Sequence, residues 1–172
     1  MKFKTLLILP GFALHPPDYA KLVSCLDIPT QTINIWPESL DEIRVIGSPS
    51  SHSFEKWMHR QTEHCRNYID DSTLIFAHSA GSEIGKRLGI PMVTFGYKNI
   101  GQLVCIQGTL DPILIHEDAS NIIHPKCGHF SCVTEEAAIR CMFMQYKLSG
   151  YMTCDTDYIA ACLLYTSDAA DE

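Results

Sequence analysis

The run Thr73-Leu74-Ile75-Phe76-Ala77-His78-Ser79-Ala80-Gly81 carries an apolar strand pattern straight into a small-x-Ser-x-Gly turn. A serine in such a turn is chemically useful, because the sharp bend exposes its hydroxyl and small residues two positions either side let strand and helix pass without collision. A hydroxyl is a weak nucleophile until a base takes its proton, so this serine needs an imidazole, and the imidazole needs an acid to orient it. Two later segments offer these groups at strand ends beside glycine. Asp111 lies in Gln107-Gly108-Thr109-Leu110-Asp111-Pro112, and His129 lies in Lys126-Cys127-Gly128-His129-Phe130. An Asp before Pro is also ordinary turn chemistry, and His129 is one of eight histidines.

The elements that must hold these residues follow from periodicity. Leu6 to Leu9 is an apolar run closed by Pro10-Gly11, as in a strand buried on both faces. A short helix is expected over Asp18 to Leu26, a strand over Thr32 to Trp36, and a long loop over Pro37 to Ser53. Ser53 is expected to cap a helix through Phe54, Trp57, Met58, Cys65 and Tyr68. Strand Thr73 to Phe76, helix Ala80 to Leu88, and strands Met92 to Phe95, Leu103 to Ile106 and Asn121 to Ile123 follow. Thr134 is expected to cap a last helix reaching Tyr146, with Glu135 and Glu136 in its first turn.

Strands alternating with helices predict an α/β fold with about six mostly parallel strands flanked by helices. One link sits badly with this. Only Gly96 to Gln102 separates two strands that should be parallel neighbours, so either a crossover helix has been lost or one strand is misassigned. Gly81 and Gly85 on the helix behind Ser79 would permit close packing on the sheet.

Composition narrows the class. A chain of 172 residues with 46% apolar and 19% charged content can bury one core. The net charge of −7 and the lack of a Lys/Arg cluster argue against nucleic acid or an anionic membrane as the main partner. Eight cysteines without paired spacing suggest reduced, mostly buried thiols and a cytoplasmic setting. The start imitates a signal peptide, yet it lacks a small-x-small cleavage site and Pro10-Gly11 interrupts it. No apolar run approaches the ~20 residues of a membrane span. His124, Cys127, His129 and Cys132 have metal-like types, but they are crowded unlike structural zinc ligands, and no metal is expected there. His59 and His64 fall off one helix face and read as solvated.

The motif around Ser79 resembles the nucleophile elbow of the α/β-hydrolase superfamily, with Ala77 where Gly is usual. Hydrolases of that superfamily carry Ser, acid and His in this chain order. Gly108 to Pro112 looks like its G-x-x-D-P loop, and Gly128-His129 like its histidine loop. Leu9-Pro10-Gly11-Phe12 resembles its His-Gly-x loop with Pro in the His place, which implies the amides of Phe12 and Ala80 as oxyanion donors. The same glycine turn could simply let the chain leave the sheet.

Residues 6–12, 74–82, 104–114 and 127–130 are similar to small lidless serine hydrolases of the retinoblastoma-binding-protein-nine type. Val93 to Gly101 instead resembles the T-F-G-x-P-R-V-G segment of class 3 lipases, with Lys98-Asn99 in place of Pro-Arg. The resemblance implies a minimal α/β-hydrolase domain over 1–149, a catalytic Ser79, Asp111 and His129, and a small-molecule ester substrate without a cofactor. A lipase or thioesterase, or a binding protein that retains the fold, are the alternatives. Specificity is expected from residues 37 to 53 and 96 to 101. Residues 150–172 read as a tail, whose end CLLYTSDAADE resembles a translated library adapter.

Overall fold

The computed structural model describes residues 3–26, 28–48 and 51–134. Strands β1 (Thr5–Leu9), β2 (Thr30–Thr32), β3 (Thr73–His78), β4 (Met92–Phe95), β5 (Val104–Ile106) and β6 (Ile122–Ile123) form one sheet in the order β2-β1-β3-β4-β5-β6. Every neighbouring pair is parallel, so the chain has the α/β architecture with a parallel sheet.

Such a sheet needs cover on both faces, and the strand alternation supplies two apolar surfaces. Leu6, Ile8, Leu74, Phe76 and Phe95 point to one core, shared with Tyr19 and Leu22. A 3-10 turn (Pro16–Tyr19), α1 (Ala20–Ser24) and α5 (Ser131–Thr134) lie over it. Leu7, Leu9, Ile75, Ala77 and Met92 point to the other, where α2 (Leu40–Ile46), α3 (His52–Arg66) and α4 (Gly81–Leu88) supply Ile46, Trp57, Met58, Ile84 and Leu88.

Several boundaries differ from the sequence reading, each for a local reason. Pro16 and Pro17 open a 3-10 turn before α1, so one expected helix is split in two. β2 ends at Thr32; Ile33 N–H still donates to Ile8 O at 3.1 Å, after which Ile33, Ile35 and Trp36 stay buried by packing beside α3 and not by strand pairing. The expected loop from Pro37 to Ser53 contains α2, capped by Ser39 Oγ accepting the Glu42 N–H at 3.2 Å. Ser51, not Ser53, caps α3 by accepting the Phe54 N–H at 3.1 Å. Thr134 lies within α5, which starts at Ser131; the expected helix beyond it and the tail from 150 fall outside the described residues.

The awkward link resolves in favour of both strands. β4 and β5 are parallel neighbours, and residues 96–103 return without a helix. Pairing runs only from Val93↔Val104 to Phe95↔Ile106, so the chain retraces about 10 Å. Gly96 and Gly101, at φ +66 and +83, provide the bends.

From β1 the chain passes to β2 on one side and then to β3 on the other. The crevice outside the carboxyl ends of strands at such a switch point is where open α/β sheets bind ligands. Here β1 delivers Gly11 and Phe12, and β3 delivers Ser79.

Candidate active site

Ser79 stands at the β3–α4 turn with φ 48, a left-handed backbone that costs a non-glycine residue on the order of 1–3 kcal/mol. The surroundings hold it there. Ser79 N–H donates to Phe95 O at 2.8 Å, and its carbonyl accepts the Ser82 N–H at 2.9 Å. A Cβ at Gly81 would collide with the carbonyl oxygens of Leu9 and Pro10, and one at Gly85 with Met92 Sδ. Both glycines therefore let α4 press against the sheet, as their spacing suggested.

The structure brings Ser79, His129 and Asp111 together. Ser79 Oγ–H donates to His129 Nε2 at 2.9 Å, and His129 Nδ1–H donates to Asp111 Oδ2 at 2.6 Å. Asp111 Oδ1 accepts the Ile113 N–H at 2.9 Å, which leaves the carboxylate little freedom to rotate. Asp111 and His129 are 5% and 6% exposed, whereas Ser79 is half-buried, so water reaches the hydroxyl end of the line first. The Asp111 loop is pinned at both ends. Gln107 Nε2–H donates to Glu117 Oε2 at 3.0 Å, and Glu117 N–H donates to Gln107 Oε1 at 3.0 Å.

Two further glycines make room for the histidine. At Gly96 a Cβ would stand 2.9 Å from His129 Nδ1, and at Gly108 it would collide with the Cys127 carbonyl. Sequence reading missed both roles. It also missed His78 and Tyr19, which are fully buried beneath the site and hydrogen-bonded to each other at 2.8 Å. Position alone offered a signal for His78, since a histidine inside an otherwise apolar strand has to find partners.

The amides of Ala80 and Phe12 have no acceptor among the described residues. Ala80 is the N-cap of α4, where orphan N–H groups and the helix dipole favour negative charge. The Phe12 loop is anchored by Trp36 Nε1–H donating to Pro10 O at 3.0 Å and Gly11 N–H donating to Tyr19 Oη at 2.9 Å.

A cavity of about 500 Å³ opens beside Ser79, Ala80 and His129. Phe54, Ile113 and Leu114 give it an apolar wall, and Glu83, Arg87 and Lys98 a charged one. Gly96, Tyr97 and Lys98 line it too. The described residues among 37–53 do not, and Phe12 is not part of the lining; it is 54% exposed, and its ring meets Trp36 edge-on at 5.0 Å. The side facing residues 96–98 comes from the first turn of α3 and the Asp111 loop.

His124 directs its ring nitrogens at the carbonyls of Gln107 and Glu117, at 3.2 and 3.0 Å. Burial pushes the Cys132 thiol well above its ordinary value. Among the described residues no three His, Cys, Asp or Glu side chains gather as a metal site, and no helix is long and apolar enough to cross a membrane. His59 and His64 are exposed on α3.

No protein-family model, curated protein or solved structure matches the chain.

Proposed function

We propose that this chain is a serine hydrolase of the α/β-hydrolase type that cleaves carboxylic esters. The observation that carries this reading is the line Ser79 Oγ, His129, Asp111 at 2.9 and 2.6 Å, starting from a serine held at φ 48. Ser79 Oγ attacks the acyl carbon as His129 Nε2 takes its proton. Asp111 keeps the imidazole proton on Nδ1 and stabilises the imidazolium. The leaving alcohol takes the proton from Nε2, and water then cleaves the acyl-enzyme by the same route in reverse.

Charge that builds on the carbonyl oxygen is met by the amides of Ala80 and Phe12, a contribution of roughly 3–4 kcal/mol per donor in enzymes where one has been removed. No cofactor enters this scheme. The short return over residues 96–103 leaves no length for an apolar flap, so short acyl chains are the favoured substrates.

The test is labelling with a fluorophosphonate followed by mapping of the modified residue. Modification of Ser79 is expected, and wild-type protein that remains unlabelled would favour a binding protein over an enzyme.

A further inference from the structure

His78 does no chemistry in that scheme, yet it is fully buried directly beneath it. Alternation along β3 turns it to the same side as Leu74 and Phe76, into the core that holds Tyr19. Its Nδ1 lies 2.8 Å from Tyr19 Oη, and its Nε2 lies 2.8 Å from the main-chain carbonyl of His129. Tyr19 Oη is in turn 2.9 Å from the Gly11 nitrogen.

The ends of this line fix its two outer donors. An amide N–H only donates and a carbonyl only accepts. Gly11 N–H therefore donates to Tyr19 Oη and His78 Nε2–H donates to His129 O; in a neutral ring Nδ1 is then the acceptor of Tyr19 Oη–H. A neutral His78 with its proton on Nε2 satisfies every link and also gives the Tyr19 hydroxyl proton an acceptor, which a charged ring would deny it. The surroundings agree, since burial, aided by the nearby His129, pushes the His78 ring down to about 4 against the bond to the His129 carbonyl and the Asp111 charge. Burial likewise raises the Tyr19 hydroxyl well above its ordinary value, so it keeps its proton. Among the described residues, the other aromatic rings against it are Phe95 and Phe130, which carry no charge.

Resting on the hydrolase reading, we infer that His78 is a positioning residue, which ties the Gly11–Phe12 loop, the strand bearing Ser79 and the main chain of His129 into one unit. The sheet alone cannot do this. β4 and β5 stand between β3 and β6, so no ladder bond sets the distance from the Ser79 turn to the loop after β6. The bond from His78 to His129 O spans that gap, and its other arm reaches the loop after β1. A displacement near 1 Å at a reacting group can cost about 100-fold in rate, so a tie of this kind acts on turnover. Substrate affinity should barely respond, because the groups it aligns do their work in the transition state.

The test compares His78→Leu, His78→Gln and Tyr19→Phe, with turnover expressed per active site as counted by fluorophosphonate titration. His78→Leu removes the donor to His129 O, and kcat per site is expected to fall about 100-fold with KM unchanged. His78→Gln offers an amide N–H to that carbonyl and should recover about 10-fold of the loss. Tyr19→Phe should cost about 10-fold. Nitrogen NMR of the wild-type protein should find His78 neutral and protonated on Nε2 at pH 6.

Variants with fewer active sites but unchanged kcat per site would show a purely structural role and overturn the inference. So would a charged ring or an Nδ1–H form in the wild type, a readout that holds even if every variant fails to fold. An active wild type with unaffected variants sinks the positioning role alone. A wild type that neither labels nor turns over sinks the hydrolase reading, and the positioning role with it.

Discussion

Two clefts flank α3, and the larger one has less to offer. The groove between α2 and α3 encloses about 660 Å³ and is lined by Val45, Ile46 and Trp57 together with His52, Lys56, His59 and Arg60. Its histidines lie exposed. The cavity at Ser79 is smaller, about 500 Å³, but its one imidazole is 6% exposed and is held through both nitrogens. Volume and residue type alone would favour the groove. What separates the two is desolvation and orientation, since a ring fixed before the reaction starts has no reorganisation left to undergo.

The sharpest way to break this contrast is to remove the serine. Ser79→Ala is expected to lower ester turnover by at least about 1,000-fold and to abolish probe labelling, with the fold unchanged by circular dichroism. Retention of a tenth of wild-type turnover would move the chemistry elsewhere. Next, Asp111→Asn and His129→Ala should each cost on the order of 1,000-fold or more, because Asn cannot hold Nδ1 protonated in the same tautomer and Ala leaves no base for the Ser79 proton. Added to Ser79→Ala, either change should cost little further; losses that multiply would mean that the three side chains do not act together.

Much of this cavity was legible because its parts announce themselves locally. Ser79 ends an apolar strand between small residues, and Asp111 and His129 each follow a strand beside a glycine. The helix α2 was equally local, with Ser39 and Glu42 in the Ser-x-x-Glu spacing of a helix start, but the serines, Gly47 and Pro49 around it favoured a loop. Ile33 and Ile35 alternate as a strand would and are buried, yet they leave the ladder after the bond to Ile8 O. Burial pattern alone does not distinguish pairing from packing. The His78 line was out of reach for a different reason, because its partners lie 59 and 51 residues away and meet it only once the sheet has formed.

That buried histidine gives the contrast a thermodynamic edge. Its folded value near 4 lies below the ordinary value of 6.5, so the unfolded chain binds the extra proton between those limits. Stability from a neutral His78 is therefore complete above about pH 6.5 and is lost as pH falls toward 4, by at most roughly 3 kcal/mol. Urea titrations at several pH values should show wild type losing about 2–3 kcal/mol more than His78→Gln over this window. Parallel pH dependences for the two proteins would mean that the ring is charged, or solvated, in the folded state.

The smallest effect is expected in the groove, where the separation of the two clefts is itself at stake. Glu55 borders both, and its carboxylate takes Arg87 Nη2 at 3.1 and 3.0 Å, so this pair stands where one cleft gives way to the other. Val45 on the far side is 78% exposed, and Val45→Asp should leave the fold intact. With the clefts separate, kcat/KM for Val45→Asp should stay within about twofold of wild type on p-nitrophenyl butyrate and dodecanoate alike. The wild-type profile should also peak between acetate and about hexanoate, because a chain that finds no second apolar surface gains little from each added carbon. The opposite geometry makes an opposite forecast. An acyl tail that passes Glu55 and lies along Val45, Ile46 and Trp57 would gain about 0.8 kcal/mol per buried methylene, roughly fourfold in kcat/KM each, and an aspartate in its path would erase that gain for dodecanoate alone. A selective loss on the long ester would join the two clefts into one acyl site and favour a lipase over a short-chain esterase.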